Sequence, residues 1–387
     1  MPSEEIIPFS SGRARVVALP ELFGHEAWAK ALAARAKDHR FYEIVERTLA
    51  SGFEHFYIIL EDERGEVRAV QPIFFVQQNL VEGVPALRAV VDSIRRVFPR
   101  FLTMRVLMVG CAAGEGHLGV CRAEDEAWAA AALGSSLRIY ARRKKASLIV
   151  FKDFRSTYRE PLRPLREHGF TRIPSMPMTR LALPFRDFED YLGSLSKATR
   201  KDLRRKFRKA EKLEPLVLEV VTDVSPVVDE IHSLYLQVQS RSKLKFETLT
   251  KEYFCSLGKD MPDRVRFFLW RQNGRIVAFS LCLVHDGTIY DDYLGLDYNV
   301  ALDLHLYFLS FRDIIRWAIE NGIGRYLSSP LNYEPKLHLG CELLPLDLYV
   351  MHTSPILNRI FPPLLKFLEP TRHDKVLQRF PNAADLH

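Results

Sequence analysis

FYIILEDERGEVRAVQPIFFVQ (Phe56–Gln77) and RFFLWRQNGRIVAFSLCLVHDG (Arg266–Gly287) decide how this chain is read. Each is an apolar run, a short polar turn with one glycine (Gly65, Gly274) and a second apolar run. Both therefore read as β-hairpins. The segments after them match in kind and order. The first hairpin leads to the strand MRVLMVG, a glycine-rich loop, a helix over Glu124–Lys144, the strand ASLIVFKDF, then LREHGF and MTRLALPF. The second leads to TIYDDYLGLD, a helix over Ala301–Asn321, the strand GRYLSS, a polar loop with PKLHLG, and ELLPLDLYV. The order is β-β-β-α-β-α-β in both. Copies so far apart are not solenoid repeats. They predict two tandem α/β (α+β) domains, each a mixed, mostly antiparallel sheet flanked by helices.

Length agrees, since 387 residues suit two domains at roughly 100–200 residues each. The expected boundaries are 1–184, 185–350 and a C-terminal extension, 351–387. Its apolar segment Ile356–Arg372 is expected to cap the core, ahead of docking a partner or lying on a membrane. The composition, 47% hydrophobic and 27% charged, is that of a globular protein with a sizeable core. Five cysteines without CxxC spacing speak against a structural metal site or a disulfide framework, and no metal is expected. The start has no apolar run of signal-peptide length, and no stretch approaches 18 apolar residues, so a cytoplasmic protein is expected.

The net charge of +7 is modest, so its location matters more than its sum. Between the repeats lies DFEDYLGSLSKATRKDLRRKFRKAEK, with Leu195, Thr199, Leu203 and Phe207 on one helical stripe. From Lys197 to Lys212 it carries nine cations, Arg200 and Arg204 among them, and two anions. Charge runs are ordinarily solvated faces. Like charges four apart repel, however, which an anionic partner such as tRNA or a lipid surface would relieve.

The repeated order resembles the GCN5-related N-acetyltransferase (GNAT) fold. The doubled form, with YLGSLSKATRKDLRRKFRK opening the second copy, YLGLDYNVALDLHLYF followed by IRWAIENG, and NYEPKLHLG closing it, is similar to FemAB-like and BioF2-like tandem acyltransferases. The likeness runs roughly from Phe56 to Val350. It implies transfer of an acyl or aminoacyl group to a small or lipid-linked amine, with acyl-CoA or acetyl-CoA as donor, or aminoacyl-tRNA as in some relatives. A non-catalytic anion- or lipid-binding module on this fold is the remaining alternative. No covalent nucleophile is needed.

Candidate site residues follow. Many GNAT proteins hold a pyrophosphate on a Q/R-x-x-G-x-G/A loop. LDYNVALDLH in the second copy lacks it, whereas GCAAGEGHLG in the first offers Gly114, Gly116 and Gly119. Glycines let a backbone approach phosphate closely. In TIYDDYLGLDY, alternation puts Tyr290 and Asp292 on one face and Asp291 and Tyr293 on the other, so one carboxylate is expected to be poorly solvated. Asp292 and Tyr293 are the catalytic candidates there. His305 and Tyr307 open the next helix, and a tyrosine is a recurrent acid in this fold. In the Asn332–Lys336 loop, Pro335 is expected to hold Glu334 extended and so to aim Tyr333 and Lys336 at substrate beside Asn332. Asp153 ends the matching strand of the first copy and is a further substrate-binding candidate.

Overall fold

A computed structural model describes residues 5–49, 51–79, 93, 96, 103–213, 215–242, 246–367 and 369–387. The chain divides into two compact units. The first is Met1–Met176 with Pro345–Asp374 and Leu386–His387, and the second is Pro177–Leu344 with Lys375–Asp385. The division differs from the expected 184 and 350. It falls inside two strands, β7 (Thr171–Ala182) and β13 (Glu342–His352), whose halves belong to different units. The 351–387 segment forms no separate body, because its pieces pack into both units.

In the first unit the strands run in the order β1 (Glu5–Phe9), β2 (Gly12–Val17), β3 (Phe53–Asp62), β4 (Val67–Asn79), β5 (Thr103–Val109), β6 (Leu148–Arg155), then β13. Only β5 and β6 are parallel among these pairs. A parallel pair needs a crossover. Helix α3 (Glu126–Arg143), after the small helices α1 (Glu26–Ala31) and α2 (His39–Thr48), supplies it. Its alanine-rich buried face, with Leu133 and Leu137, packs into one core with Phe75, Leu107, Phe151 and Tyr349. Helix α4 (Pro164–Glu167) precedes β7.

The second unit repeats the pattern. From β7 the order is β12 (Arg325–Ser328), β11 (Thr288–Leu296), β10 (Arg275–His285), β9 (Val265–Gln272) and β8 (Val217–Val221). Here β11 and β12 are the parallel pair, and α9 (Leu306–Glu320) is the crossover. The β9–β10 turn holds Asn273 and Gly274 at φ 50° and 79°, the consecutive left-handed residues that a tight Asn-Gly hairpin requires. Before the hairpin come α5 (Phe188–Ser194), the basic α6 (Lys197–Glu211), α7 (Val228–Arg241) and α8 (Lys251–Asp260). Ser196 caps α6 by accepting from the Thr199 N–H, while Leu203, Phe207 and Ala210 are buried.

Candidate active site in the second unit

The site begins with an irregularity in β11. Leu281 pairs with Tyr293 and Cys282 with Asp291, so the register skips Asp292. This β-bulge breaks the alternation expected of the Asp-Asp-Tyr run, and Asp291 and Tyr293 do not share a face. Tyr293 packs against Tyr235 of α7 and Tyr253 of α8, and its hydroxyl donates to Glu247 at 2.7 Å. Asp291 points to the other side. Its Oδ2 accepts from the Tyr326 hydroxyl at 2.7 Å and its Oδ1 from the Ser280 hydroxyl, with the Cys282 thiol 3.8 Å away. Tyr326 in turn packs on Phe311 of α9.

Burial therefore pushes the Asp291 carboxyl above the usual carboxylate range, against the Ser280 and Tyr326 hydroxyls and the Lys336 cation. Besides Asp291 itself, Ser280 and Tyr326 are the residues that sequence reading missed. One is an ordinary apolar-strand serine and the other part of GRYLSS, and neither carries a motif. The duplication that located β12 was the signal available for Tyr326.

Lys336 comes from the opposite side of the site. The polar stretch expected to be a loop is helix α10 (Tyr333–His338), so Glu334 is helical and not extended. Pro335 is tolerated because the first turn of a helix needs no partner for its N–H groups. The chain enters α10 through Leu331 and Asn332, both left-handed at φ 74° and 53°. For a leucine that is a strained conformation, of about 1–3 kcal/mol, of the kind found at functional sites. Lys336 is 5% exposed, and its Nζ donates to the Ser329 carbonyl. Desolvation lowers its pKa to about 8, opposed by the Cys341 thiol and Asp291. Ser329 ties the bulge down, donating from Oγ to the Asp292 carbonyl at 2.5 Å and the Asp291 carbonyl at 3.1 Å. Cys341 is buried and its pKa is pushed up to about 12, which keeps it a thiol.

Tyr307, in the first turn of α9, completes the cluster. Burial, and then the charge of Asp291, raises its pKa, and the Asn332 side chain hydrogen-bonds to it. It thus stays a protonated acid at neutral pH. His305 precedes it at φ 50° as the N-cap of α9. Its pKa is lowered by burial and then by Lys209, Lys206 and Arg205 of α6. Lys206 also lies 4.0 Å over the Phe308 ring. The basic helix therefore brings its cations to the N-terminal end of α9, where the helix dipole already favours an anion.

The other candidates lie apart from this cluster or are taken up by structure. Tyr333 is 2% exposed, donates to the Pro177 carbonyl at 2.8 Å and meets Phe380 edge-on, so it anchors α10. The Arg200 guanidinium donates to the Gly193 carbonyl at 3.0 Å and reaches those of Leu192 and Leu195, closing the end of α5. Arg204 pairs with Glu189 at 2.6 Å in solvent, a contact worth little. In the first unit, a Cβ on Gly114 would lie 2.5 Å from Lys37 Nζ, on Gly116 2.3 Å from the Lys152 carbonyl, and on Gly119 2.1 Å from the Val70 carbonyl. These glycines let the loop press against its own protein, and that accounts for them without a phosphate. Glu115 between them is buried with Lys37 at 2.8 Å and Arg155 at 2.9 Å, which hold it well below the usual carboxylate range despite burial. Asp153, left-handed at φ 57°, accepts from the Ser175 hydroxyl at 2.5 Å and pairs with Lys152 at 2.7 Å. A concavity of about 570 Å³ also lies in the first unit, lined by His25, Lys30 and Cys121 among others. Among the described residues no group of three or more His, Cys, Asp or Glu side chains is placed to hold a metal.

Residues 197–332, from the start of α6 to the entry of α10, match the family model of an acetyltransferase (GNAT) domain. The match covers 136 of the 387 residues, so the likeness to the GNAT family is one of this region. Asp291, Tyr307, His305 and the bulge all fall within the match, and Lys336 lies just beyond it. The fold agrees. FemX is similar at TM-score 0.53 and 14% identity, over 94% of this chain and 100% of that one. The C-terminal domain of a putative lysylphosphatidylglycerol synthetase from Agrobacterium fabrum is similar at TM-score 0.50 and 12% identity, over 89% and 96%. At such identities the likeness is one of fold. The putative 8-amino-7-oxononanoate synthase 2 of Mycobacterium tuberculosis is 23% identical over 330 residues, 81% of this chain. The chain spans 42% of that relative's length.

Proposed function

We propose that the GNAT-like region transfers an acyl group from a thioester donor, acyl-CoA, to a primary amine. The observation that carries this reading is the network that holds Asp291 between Ser280 and Tyr326 and links its backbone through Ser329 to the buried Lys336, with Tyr307 in the first turn of α9. The amine nitrogen attacks the acyl carbonyl, a C–N bond forms and the C–S bond breaks. Asp291 takes the proton the nitrogen loses, the base role that sequence reading gives to Asp292. A carboxyl raised by burial is suited to that task. The Tyr307 hydroxyl gives a proton to the leaving thiolate, and the amine's proton returns to Tyr307 when the site resets. Lys336 stabilises the charge that develops between them. The donor's phosphates fit the N-terminal end of α9, where Lys206 and Lys209 supply the charge that the missing glycine loop would otherwise support.

A lipid-linked amine is the acceptor class favoured by the likeness to the lysylphosphatidylglycerol synthetase domain. Aminoacyl-tRNA as donor is the second reading, and the nine cations of the α6 region favour it. Incubation with acetyl-CoA and, in turn, lysine, spermidine or phosphatidylethanolamine vesicles tests the first reading through release of free thiol. Amine-dependent release supports it. Absence of release from all three, together with acyl transfer from charged tRNA, replaces it with the second.

A further inference from the structure

Helix α11 (Pro355–Phe367) is amphipathic the wrong way round for a core-capping helix. Its amide residue points in. Asn358 accepts from the His352 N–H and donates to the Gly169 carbonyl, both at 2.8 Å. Phe361 packs on His352, and Leu365 is buried. Its aliphatic residues point out, with Ile356 79%, Ile360 64%, Leu364 47% and Leu357 43% exposed. Ile356, Ile360 and Leu364 are spaced by four, so they form one stripe about 12 Å long at 1.5 Å per residue. Twelve large hydrophobic side chains are exposed among the described residues, and four of them sit on this one helix. Scattered exposed leucines need no explanation, whereas a contiguous stripe does.

Charge narrows what covers it. Pro355–Phe367 contains no carboxylate, and its ionisable residues are Arg359 and Lys366. Arg359 is exposed three residues from Ile356. Pro362 and Pro363 have no N–H for the carbonyls a turn earlier, which suits a helix lying in a hydrated interface and not one buried in protein. At 13 residues it is far too short to cross a bilayer. An apolar stripe on a helix whose own ionisable residues are all cations is the chemistry of a helix in the plane of an anionic lipid surface.

We propose that α11 docks the protein on anionic phospholipid. The proposal is independent of the acyl-transfer reading, because it uses no residue of that site. The test is flotation of the full chain with phosphatidylglycerol–phosphatidylcholine vesicles and with phosphatidylcholine vesicles alone. The wild type should float with the anionic vesicles, less so in high salt, and Ile356→Asp/Ile360→Asp should lower partitioning roughly tenfold or more. Both side chains are solvent-exposed, so the melting temperature should not move. Arg359→Glu, which leaves the apolar stripe intact, should weaken binding to anionic vesicles and not to neutral ones. Failure of the wild type to float, or equal flotation of the variants, overturns the proposal. So does a wild-type dimer in sedimentation that the double variant dissolves without any vesicle binding, which would make this face a contact between copies.

Discussion

Asp291 and Lys336 are a buried carboxyl and a buried ammonium whose pKa values are displaced toward one another. Burial is the largest cause for both, so each is held at a cost to stability that an apolar residue would not incur. For Lys336 the sign is definite. Its folded pKa of about 8 lies below the 10.5 of a free lysine, so the unfolded chain binds more protons between those values and stability rises with pH across that window. Lys336→Met should flatten this rise, by up to about 3 kcal/mol at 1.36 kcal/mol per pKa unit. Denaturant titrations of both proteins at pH 8 and pH 10.5 would measure it. An identical pH slope would show that Lys336 is solvated. Sequence reading singled out Lys336 and Tyr307 from the family likeness. It named Asp292 and not Asp291, and the alternating pattern carries no sign of the bulge at that point. One skipped residue reverses which carboxylate meets Tyr326.

At the scale of elements, the duplicated hairpins, the crossover helices and the basic helix were readable because each has a period or a turn signal. Helix α10 was not. Six residues with a proline carry no helical period, and its existence depends on Tyr333 reaching the Pro177 carbonyl and Phe380, contacts distant in sequence. The glycine loop misled for a related reason, since close approach to phosphate and close approach to the chain's own backbone demand the same residue. The pairing of α6 with α9 gives a prediction at this level. Lys206→Glu/Lys209→Glu should weaken acetyl-CoA binding by about tenfold at low salt, with the gap closing as salt rises, because exposed charge is screened within about 10 Å at 0.1 M. Calorimetric titration at two salt concentrations checks this. Equal affinities would remove α6 from donor binding.

At the scale of the whole molecule, neither unit is one continuous stretch of chain. Sequence order suggested cuts at 184 and 350, whereas the units part inside β7 and β13 and Lys375–Asp385 belongs to the second unit, assignments that no local pattern encodes. Phe380 is 3% exposed against Tyr333, and the Asn382 side chain pairs with both backbone groups of Leu343. Phe380→Ala should therefore destabilise the second unit by about 3–5 kcal/mol, the usual loss for a buried phenylalanine, although it stands 28 residues beyond β13. Hydrogen exchange of α10 amides would report it, and unchanged protection there would show that the returning segment is ornamental.

The central claim is that Asp291 of the GNAT-like region is the base of an acyl transfer. The most direct measurement is the pH profile of amine-dependent thiol release from acetyl-CoA by the wild type and by Asp291→Asn, normalised to folded protein. The wild type should gain activity as pH rises through the raised pKa of Asp291. The variant, whose amide oxygen accepts from one of Ser280 and Tyr326 while its NH2 donates to the other, should melt similarly but lose about 10²–10⁴-fold in kcat and lack that acid limb. An Asp291→Asn protein that turns over at the wild-type rate with the same profile would contradict the account.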